Sequence, residues 1–297
     1  MERRVAYIVL VMLIVSALLL AVIVDLRYSG IPGGAGSGTL ILTTFPGIDG
    51  DVANLLRGCS NVTVKPIAPA GADPHSYQLR PDDLQLLAKS TLIISTGHAP
   101  FEKKVEELYP DKTLNISAIP GIKLSRLPQG GLNMHMPIYD PDNYKVFIKA
   151  VADRVSQLVP QCKGIVYDNL EDILLNLSRL DSYKGALNGT RGVTSSPLGY
   201  YAVSWLGVDI EVYLVQEHGA QVSPDAAEEA ETLLRSGGLA IIIVDAQGHP
   251  LGQANTMLET LAEKYKAPTI KVEAPFTDTP IIAKIWRIVK QAENLGT

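Results

Sequence analysis

Strand-like and helix-like segments alternate along most of the chain, in two blocks that a long helical stretch separates. Short apolar runs, such as residues 91–96 in the first block and 239–245 in the second, predict buried strands. The segments between such runs carry apolar residues at helical spacing. This alternation is typical of an α/β domain with a mainly parallel sheet, so we expect two lobes of that kind, each flanked by helices.

The stretch between the two blocks contains no strand-like run. Two segments with helical spacing fill it, and Pro160 interrupts them. We therefore predict an N-terminal α/β lobe over residues 39–158, a connector helix within 159–187 and a C-terminal α/β lobe over 188–297.

The N-terminus predicts export. Residues 5–24 are apolar and uncharged, which is long enough to cross a hydrocarbon core of about 30 Å as a helix. Arg3 and Arg4 precede this run, so we expect a cytoplasmic N-terminus and an exported remainder. No small-residue cleavage pattern follows, which favours an uncleaved anchor over residues 1–28; a cleaved signal peptide is the alternative. Residues 29–38 are Gly-rich and predict a flexible tether.

The composition fits an exported protein that does not bind nucleic acid. The net charge is −5 and there is no run of Lys or Arg, which argues against nucleic acid as a partner. The chain has two cysteines, which outside the cell form either a disulfide or two buried thiols. Four sequons of the form Asn-x-Ser/Thr predict glycosylation at Asn61, Asn115, Asn176 and Asn188.

Most of the histidines come soon after strand-like runs, while His135 lies in a Gly/Pro-rich loop that leads into a helix. The chain has five of them: His75, His98, His135, His218 and His249. In open α/β sheets, the loops beyond the carboxyl ends of the strands form the binding crevice. Neutral imidazole is a good ligand for transition-metal ions, so the pattern predicts a metal cleft between the lobes. For any single loop histidine, the alternative is a surface residue or a turn former.

Four stretches of the chain, at 43–56, 69–97, 139–160 and 219–247, resemble the solute-binding proteins of zinc and manganese ABC importers. The second stretch is the most specific, because it matches the signature of that family around its first metal ligand. The likeness runs from about Leu40 to the end of the chain. It implies a two-lobed monomer with the metal between the lobes.

The resemblance also implies a function. Such a receptor captures a divalent transition metal outside the membrane, zinc first and manganese next, and delivers it to an ABC permease with its ATPase. It makes and breaks no covalent bond, so we do not expect an enzyme. The membrane would hold the receptor through the N-terminal helix.

In that family two ligands come from each lobe. The resemblance places the first at His75 and the second at His135, where residues 133–137 stand in place of the family's Asp-Pro-His. Alternatively, Met134 or Met136 alters this site, because thioethers are soft ligands that favour Cu(I).

The second lobe departs from the family pattern. Its third ligand, His or Glu in relatives, falls at Ser196, or at Ser195 in a shifted register. A neutral hydroxyl is a poor metal ligand. The fourth falls at Glu273, with Asp278 as the alternative. The candidates to replace the missing ligand are water and three histidines, His98, His218 and His249.

The resemblance bears on the cysteines as well. It implies helix directions that put Cys59 and Cys162 at the base of the first lobe, which favours a disulfide between them.

Two other functions remain open at this point. Ser196 favours a binding or adhesion module that has lost its metal. Glu217 beside His218 is the one hint of an extracellular metal-dependent hydrolase, and the common zinc-enzyme signatures do not occur.

Overall fold

The computed structural model describes residues 38–215 and 220–295. The predicted anchor over 1–28 lies outside the described residues, as does most of the predicted tether over 29–38. Within the described ranges, every helix is too short or too polar to cross a bilayer. The membrane anchor therefore stays a prediction.

The first sheet has four parallel strands in the order β2-β1-β3-β4. The strands are β1 (Thr39–Thr43), β2 (Val62–Pro66), β3 (Leu92–Ser95) and β4 (Thr113–Asn115). The crossover helices are α1 (Ile48–Leu55), α2 (Pro81–Lys89) and α3 (Pro100–Leu108). This arrangement confirms the α/β lobe that the sequence predicts.

The second sheet repeats the pattern, with four parallel strands in the order β6-β5-β7-β8. Its strands are β5 (Arg191–Thr194), β6 (Asp209–Tyr213), β7 (Leu239–Val244) and β8 (Thr269–Glu273). Its helices are α6 (Leu198–Val203), α7 (Pro224–Arg235), α8 (Gly252–Tyr265) and α9 (Ile281–Glu293).

Helices α4 (Pro141–Leu158) and α5 (Lys163–Ser178) join the two sheets. A tight turn at Pro160–Cys162 separates them, because proline cannot continue a helix, and the two helices pack against each other. Helix α5 also packs against α1 and ends in a short 3-10 turn. The predicted helical connection between the lobes is confirmed, while the lobe limits at residues 158 and 188 stay predictions.

Buried hydrogen bonds join the lobes, among them those of Asp51 and Tyr139. Asp51 of α1 accepts hydrogen bonds from the backbone N–H groups of Ile281 at 2.8 Å and Ile282 at 3.3 Å, at the start of α9. Burial raises the pKa of Asp51 to about 7, and these hydrogen bonds oppose that rise. The Tyr139 hydroxyl donates to the carbonyl oxygen of Glu273 at 2.6 Å. Side chains near the first sheet thus bond directly to the second lobe.

A disulfide joins Cys59, just after α1, to Cys162, in the turn before α5. The two Cα atoms are 5.6 Å apart. The bond closes a loop of the first lobe onto the start of the connector and confirms the pairing that the resemblance implies.

The four sequons differ in accessibility. Asn61 and Asn188 are exposed. Asn115 donates to Glu106, and Asn176 accepts from the Trp286 indole, so both amides are engaged in the fold. Glycosylation stays a prediction, for which the two exposed asparagines are the better acceptors.

The turn between β3 and α3 is built around the buried carboxylate of Glu102. Its Oε1 accepts from the backbone N–H of Thr96 at 2.7 Å, and its Oε2 accepts from those of His98 at 3.0 Å and Ala99 at 2.8 Å. The Thr44 and Thr96 hydroxyls also donate to it. A Glu at the third helical position that binds back to the cap residue is the capping-box arrangement. It fixes the backbone that carries His98.

We expect the double substitution Cys59→Ala and Cys162→Ala to lower the free energy of unfolding by about 2–5 kcal/mol, because the disulfide restricts the unfolded chain. The bond spans 103 residues of sequence. Urea denaturation measures this, and a reductant should lower the midpoint of the wild type while leaving that of the variant unchanged. Equal midpoints for wild type and variant would contradict the prediction.

We expect Glu102→Ala to lower the free energy of unfolding by roughly 3 kcal/mol, because several buried donors lose their acceptor. Glu107 on the same helix is exposed, so Glu107→Ala is the matched control and should change the free energy of unfolding by no more than about 0.5 kcal/mol. An equal loss in both variants would show that the capping carboxylate has no special role.

Candidate metal centre

Three loops beyond the first sheet each bring one histidine. His75 lies in the loop after β2, His98 in the turn after β3, and His135 in the long loop between β4 and α4. Because the strands are parallel, their carboxyl ends lie at one edge of the sheet, and the loops that follow β2 and β3 start from that edge.

The three imidazoles lie together, in contact through His98. The ring centroids of His75 and His98 are 5.2 Å apart, and those of His98 and His135 are 4.1 Å apart. His98 thus contacts both of the other imidazoles. We call His75, His98 and His135 the histidine cluster. Among the described residues, it brings together His75 and His135, the ligands expected from the resemblance, and His98, one of the candidates to replace the missing ligand.

A turn and an aromatic contact shape the loop that carries His75. The Asp73 carboxylate accepts from the backbone N–H of His75 at 3.1 Å, and the carbonyl oxygen of Asp73 accepts from the N–H of Tyr77 at 3.0 Å. The Tyr77 ring packs edge-on against Phe101 at 5.0 Å. A fixed φ at Pro74 adds to this restriction. The loop therefore loses little further conformational entropy when the imidazole binds a ligand.

Asn133 holds His135. The Asn133 side-chain oxygen lies 3.1 Å from the backbone nitrogen of His135 and 3.0 Å from its Nδ1. Asn133 is buried, with 1% of its surface exposed. Its amide nitrogen donates to the carbonyl oxygen of Pro197 in the second lobe at 2.9 Å. One side chain thus contacts a histidine of the cluster and the second lobe.

The two methionines beside His135 differ in their surroundings. Met136 is buried in the hydrophobic core and Met134 is half-buried. Met136 has a positive φ of 50°, which turns the chain sharply before the helical turn at Pro137–Tyr139. The effect of a thioether on the metal site stays a prediction, and the burial of Met136 among apolar side chains does not support it.

The serines predicted in the second lobe lie at the end of β5. Ser195 is fully buried, and within the described part of the chain its hydroxyl has no hydrogen-bond partner. Ser196 is half-buried, and its carbonyl oxygen accepts from the Thr194 hydroxyl at 2.8 Å. The segment is next to the histidine cluster through the contact of Pro197 with Asn133. Metal binding by either serine stays a prediction.

Glu273 is buried, and its carboxylate already has partners. Oε1 accepts from the Thr277 hydroxyl at 2.5 Å, and Oε2 pairs with the Arg287 guanidinium. To bind a metal ion, the Glu273 carboxylate would have to break its bonds to Thr277 and Arg287. Asp278 is exposed and lies near Asp49. Burial is the main cause that raises the pKa of Asp49, and the like charge of Asp278 raises it further.

His249 does not join the histidine cluster. His249 follows β7; its side chain is 76% exposed, and its Nδ1 lies 3.2 Å from the Asp245 carboxylate. His218 and the neighbouring Glu217 lie outside the described residues.

The three imidazoles of the histidine cluster do not converge on one point. Within residues 38–215 and 220–295, no three His, Cys, Asp or Glu side chains already converge as metal ligands. For all three to bind one ion, the rings would have to rotate about their side-chain torsions. Three imidazoles suit zinc, copper, nickel or iron better than calcium or magnesium, which prefer oxygen.

Two residues that shape the site were not predicted from the sequence. Glu102 fixes the backbone of His98, and Asn133 fixes the ring of His135. A local signal exists for Glu102, since it lies at the third position of a helix. For Asn133 the only sequence signal is its position two residues before His135. Asn is common at such positions in turns, so this signal is weak.

The comparisons with known proteins agree on one family. The family model of ZnuA, the periplasmic component A of the zinc-uptake complex, matches residues 41–280. The high-affinity zinc uptake system protein ZnuA of Haemophilus ducreyi is 33% identical over 78 residues. That alignment covers 25% of this chain and 25% of the relative, so the chain spans about a quarter of the length of the curated relative that it matches.

Solved structures show the same fold. A mutant, metal-free form of a periplasmic metal-binding protein from Candidatus Liberibacter asiaticus superposes with a TM-score of 0.69 at 17% identity, over 86% of this chain and 99% of that one. The periplasmic zinc-binding protein TroA from Treponema pallidum superposes with a TM-score of 0.67 at 17% identity, with the same coverage of 86% and 99%. Since the family model matches most of the sequence, the chain belongs to the ZnuA family of metal-binding proteins.

Proposed function

We propose that this protein is a receptor that captures a divalent transition metal, with zinc as the first candidate, and delivers it to an ABC importer. The observation that carries the proposal is the contact among His75, His98 and His135. Membership of the ZnuA family supports delivery to a permease, since that family is the periplasmic part of a zinc-uptake complex.

Zinc is favoured over manganese by the chemistry of the ligands. All three rings of the cluster offer nitrogen, and imidazole suits zinc, whereas manganese sites usually contain carboxylate oxygens. The nearest predicted carboxylate ligand, Glu273, is bound to Thr277 and Arg287. Manganese is the second candidate.

The two lobes have different parts in this proposal. The first lobe supplies the histidines, and the second closes over the site through the segment around Pro197. The buried bonds from Asp51 to α9 resist a wide opening of the lobes, so release of the metal requires only a small movement. The N-terminal helix would hold the receptor at the outer face of the membrane.

The test is zinc binding by untagged, metal-free protein in calorimetry. We expect one zinc per chain and a loss of affinity of more than about 100-fold in each of His75→Ala, His98→Ala and His135→Ala, because loss of a ligand costs more than loss of an outer-shell partner. In competition, zinc should displace manganese.

The matched control is His249→Ala, since His249 is exposed and contacts Asp245 instead of the cluster. It should bind zinc as the wild type does. Wild-type affinity in all three cluster variants would place the site elsewhere. If the wild-type protein takes up no metal, the receptor function is overturned. The protein would then be a binding module for another ligand.

A further inference from the structure

We propose that Asn133 is a positioning residue that selects the tautomer of His135 and connects this ligand to the second lobe. The inference deepens the proposed metal-binding function and rests on it, because His135 is a metal ligand only if that function holds. The tautomer itself is a property of the metal-free protein, so it can be measured independently of metal.

The orientation of the Asn133 amide follows from its partners. One end lies 2.9 Å from the carbonyl oxygen of Pro197, which only accepts, so that end must be the NH₂ group. The other end lies 3.1 Å from the backbone nitrogen of His135, which only donates, so that end must be the oxygen. The reverse orientation would place oxygen against oxygen and N–H against N–H.

This orientation decides which imidazole nitrogen carries the proton. The Asn133 oxygen is an acceptor and lies 3.0 Å from Nδ1 of His135, so Nδ1 must donate. A neutral imidazole has a single N–H group, and the lone pair is therefore on Nε2. Metal-bound histidines commonly use this arrangement, in which the second ring nitrogen donates to a fixed oxygen.

The same residue joins the site to the second lobe. The Tyr201 hydroxyl donates to the carbonyl oxygen of Asn133 at 2.6 Å and accepts from the backbone N–H of Ser125 at 2.9 Å. The backbone N–H of Asn133 donates to the carbonyl oxygen of Ser125 at 2.8 Å. Every polar group of Asn133 is thus bonded, and two of those bonds reach the segment from Pro197 to Tyr201.

A regulatory consequence follows for metal release. If the segment from Pro197 to Tyr201 moves away, the Asn133 amide loses the partner that fixes its orientation, and His135 loses the acceptor that holds its tautomer. Metal binding and contact between the lobes then favour each other, because such coupling is reciprocal.

Three variants separate the two roles of Asn133. Asn133→Ala removes both the acceptor for His135 and the donor to Pro197. Asn133→Asp keeps an acceptor beside His135 but places a second oxygen against the Pro197 carbonyl, so it breaks only the side-chain bond to the second lobe and leaves that of Tyr201 to the backbone. Tyr201→Phe is the matched control, because it removes a neighbouring hydrogen bond and leaves the amide in place.

The readout is the ¹⁵N NMR spectrum of histidine-labelled, metal-free protein at about pH 8, where an ordinary imidazole is neutral. His135→Gln assigns the His135 signals. We expect the Nδ1–H tautomer in wild type, Asn133→Asp and Tyr201→Phe, and a shift toward the Nε2–H tautomer in Asn133→Ala. Zinc affinity should fall by about 10- to 100-fold in Asn133→Ala. Hydrogen exchange over residues 198–201 should rise in Asn133→Asp.

The outcomes distinguish this proposal from the receptor function. A wild-type His135 in the Nε2–H form, or an unchanged tautomer in Asn133→Ala, overturns the positioning role even if zinc binds tightly. A wild-type His135 in the Nδ1–H form together with no zinc uptake supports the positioning role and overturns the receptor function. Circular dichroism shows whether Asn133→Ala is folded; if it is not, the wild-type tautomer decides.

Discussion

The parallel alignment of the strands is the constraint on which the rest of the structure depends. Each strand of the first sheet ends at the same edge, and a helix must return the chain before the next strand begins. The loops after β2 and β3, far apart along the chain, therefore begin side by side, and the long loop before α4 brings the third imidazole to them. The contact among His75, His98 and His135 is a consequence of this topology together with two supporting side chains, Glu102 and Asn133.

The second lobe contributes to the site in a different way from the first. The family resemblance implied two ligands from each lobe. The described second-lobe candidates are two serines, a carboxylate bound to Thr277 and Arg287, and two exposed side chains, Asp278 and His249. What the second lobe does supply is the carbonyl oxygen of Pro197 and the hydroxyl of Tyr201, both bonded to Asn133. Its described contribution is thus to fix Asn133, which holds His135 of the first lobe.

Sequence predicted the fold better than the site. Periodicity indicated both sheets and the helical connection, because these patterns are local; the short helix Leu198–Val203 was not predicted. The motif around His75 and the resemblance at His135 indicated two members of the cluster, and the place of His98 after a strand indicated the third. The roles of Glu273 and Asn133 were beyond reach, because they depend on Arg287, 14 residues away, and on Pro197, 64 residues away. The first contact forms only when α9 packs on β8, and the second only when the two lobes pack.

The central claim is that three imidazoles of the first lobe bind one metal ion. An anomalous-difference map of zinc-loaded crystals, collected at the zinc absorption edge, tests it most directly. The account predicts a single strong peak in contact with His75, His98 and His135, with Nε2 of His135 as the bonded atom and Glu273 still paired with Arg287. A peak bonded to Glu273 or Ser196 with His98 turned away, or a peak remote from all three histidines, would contradict it.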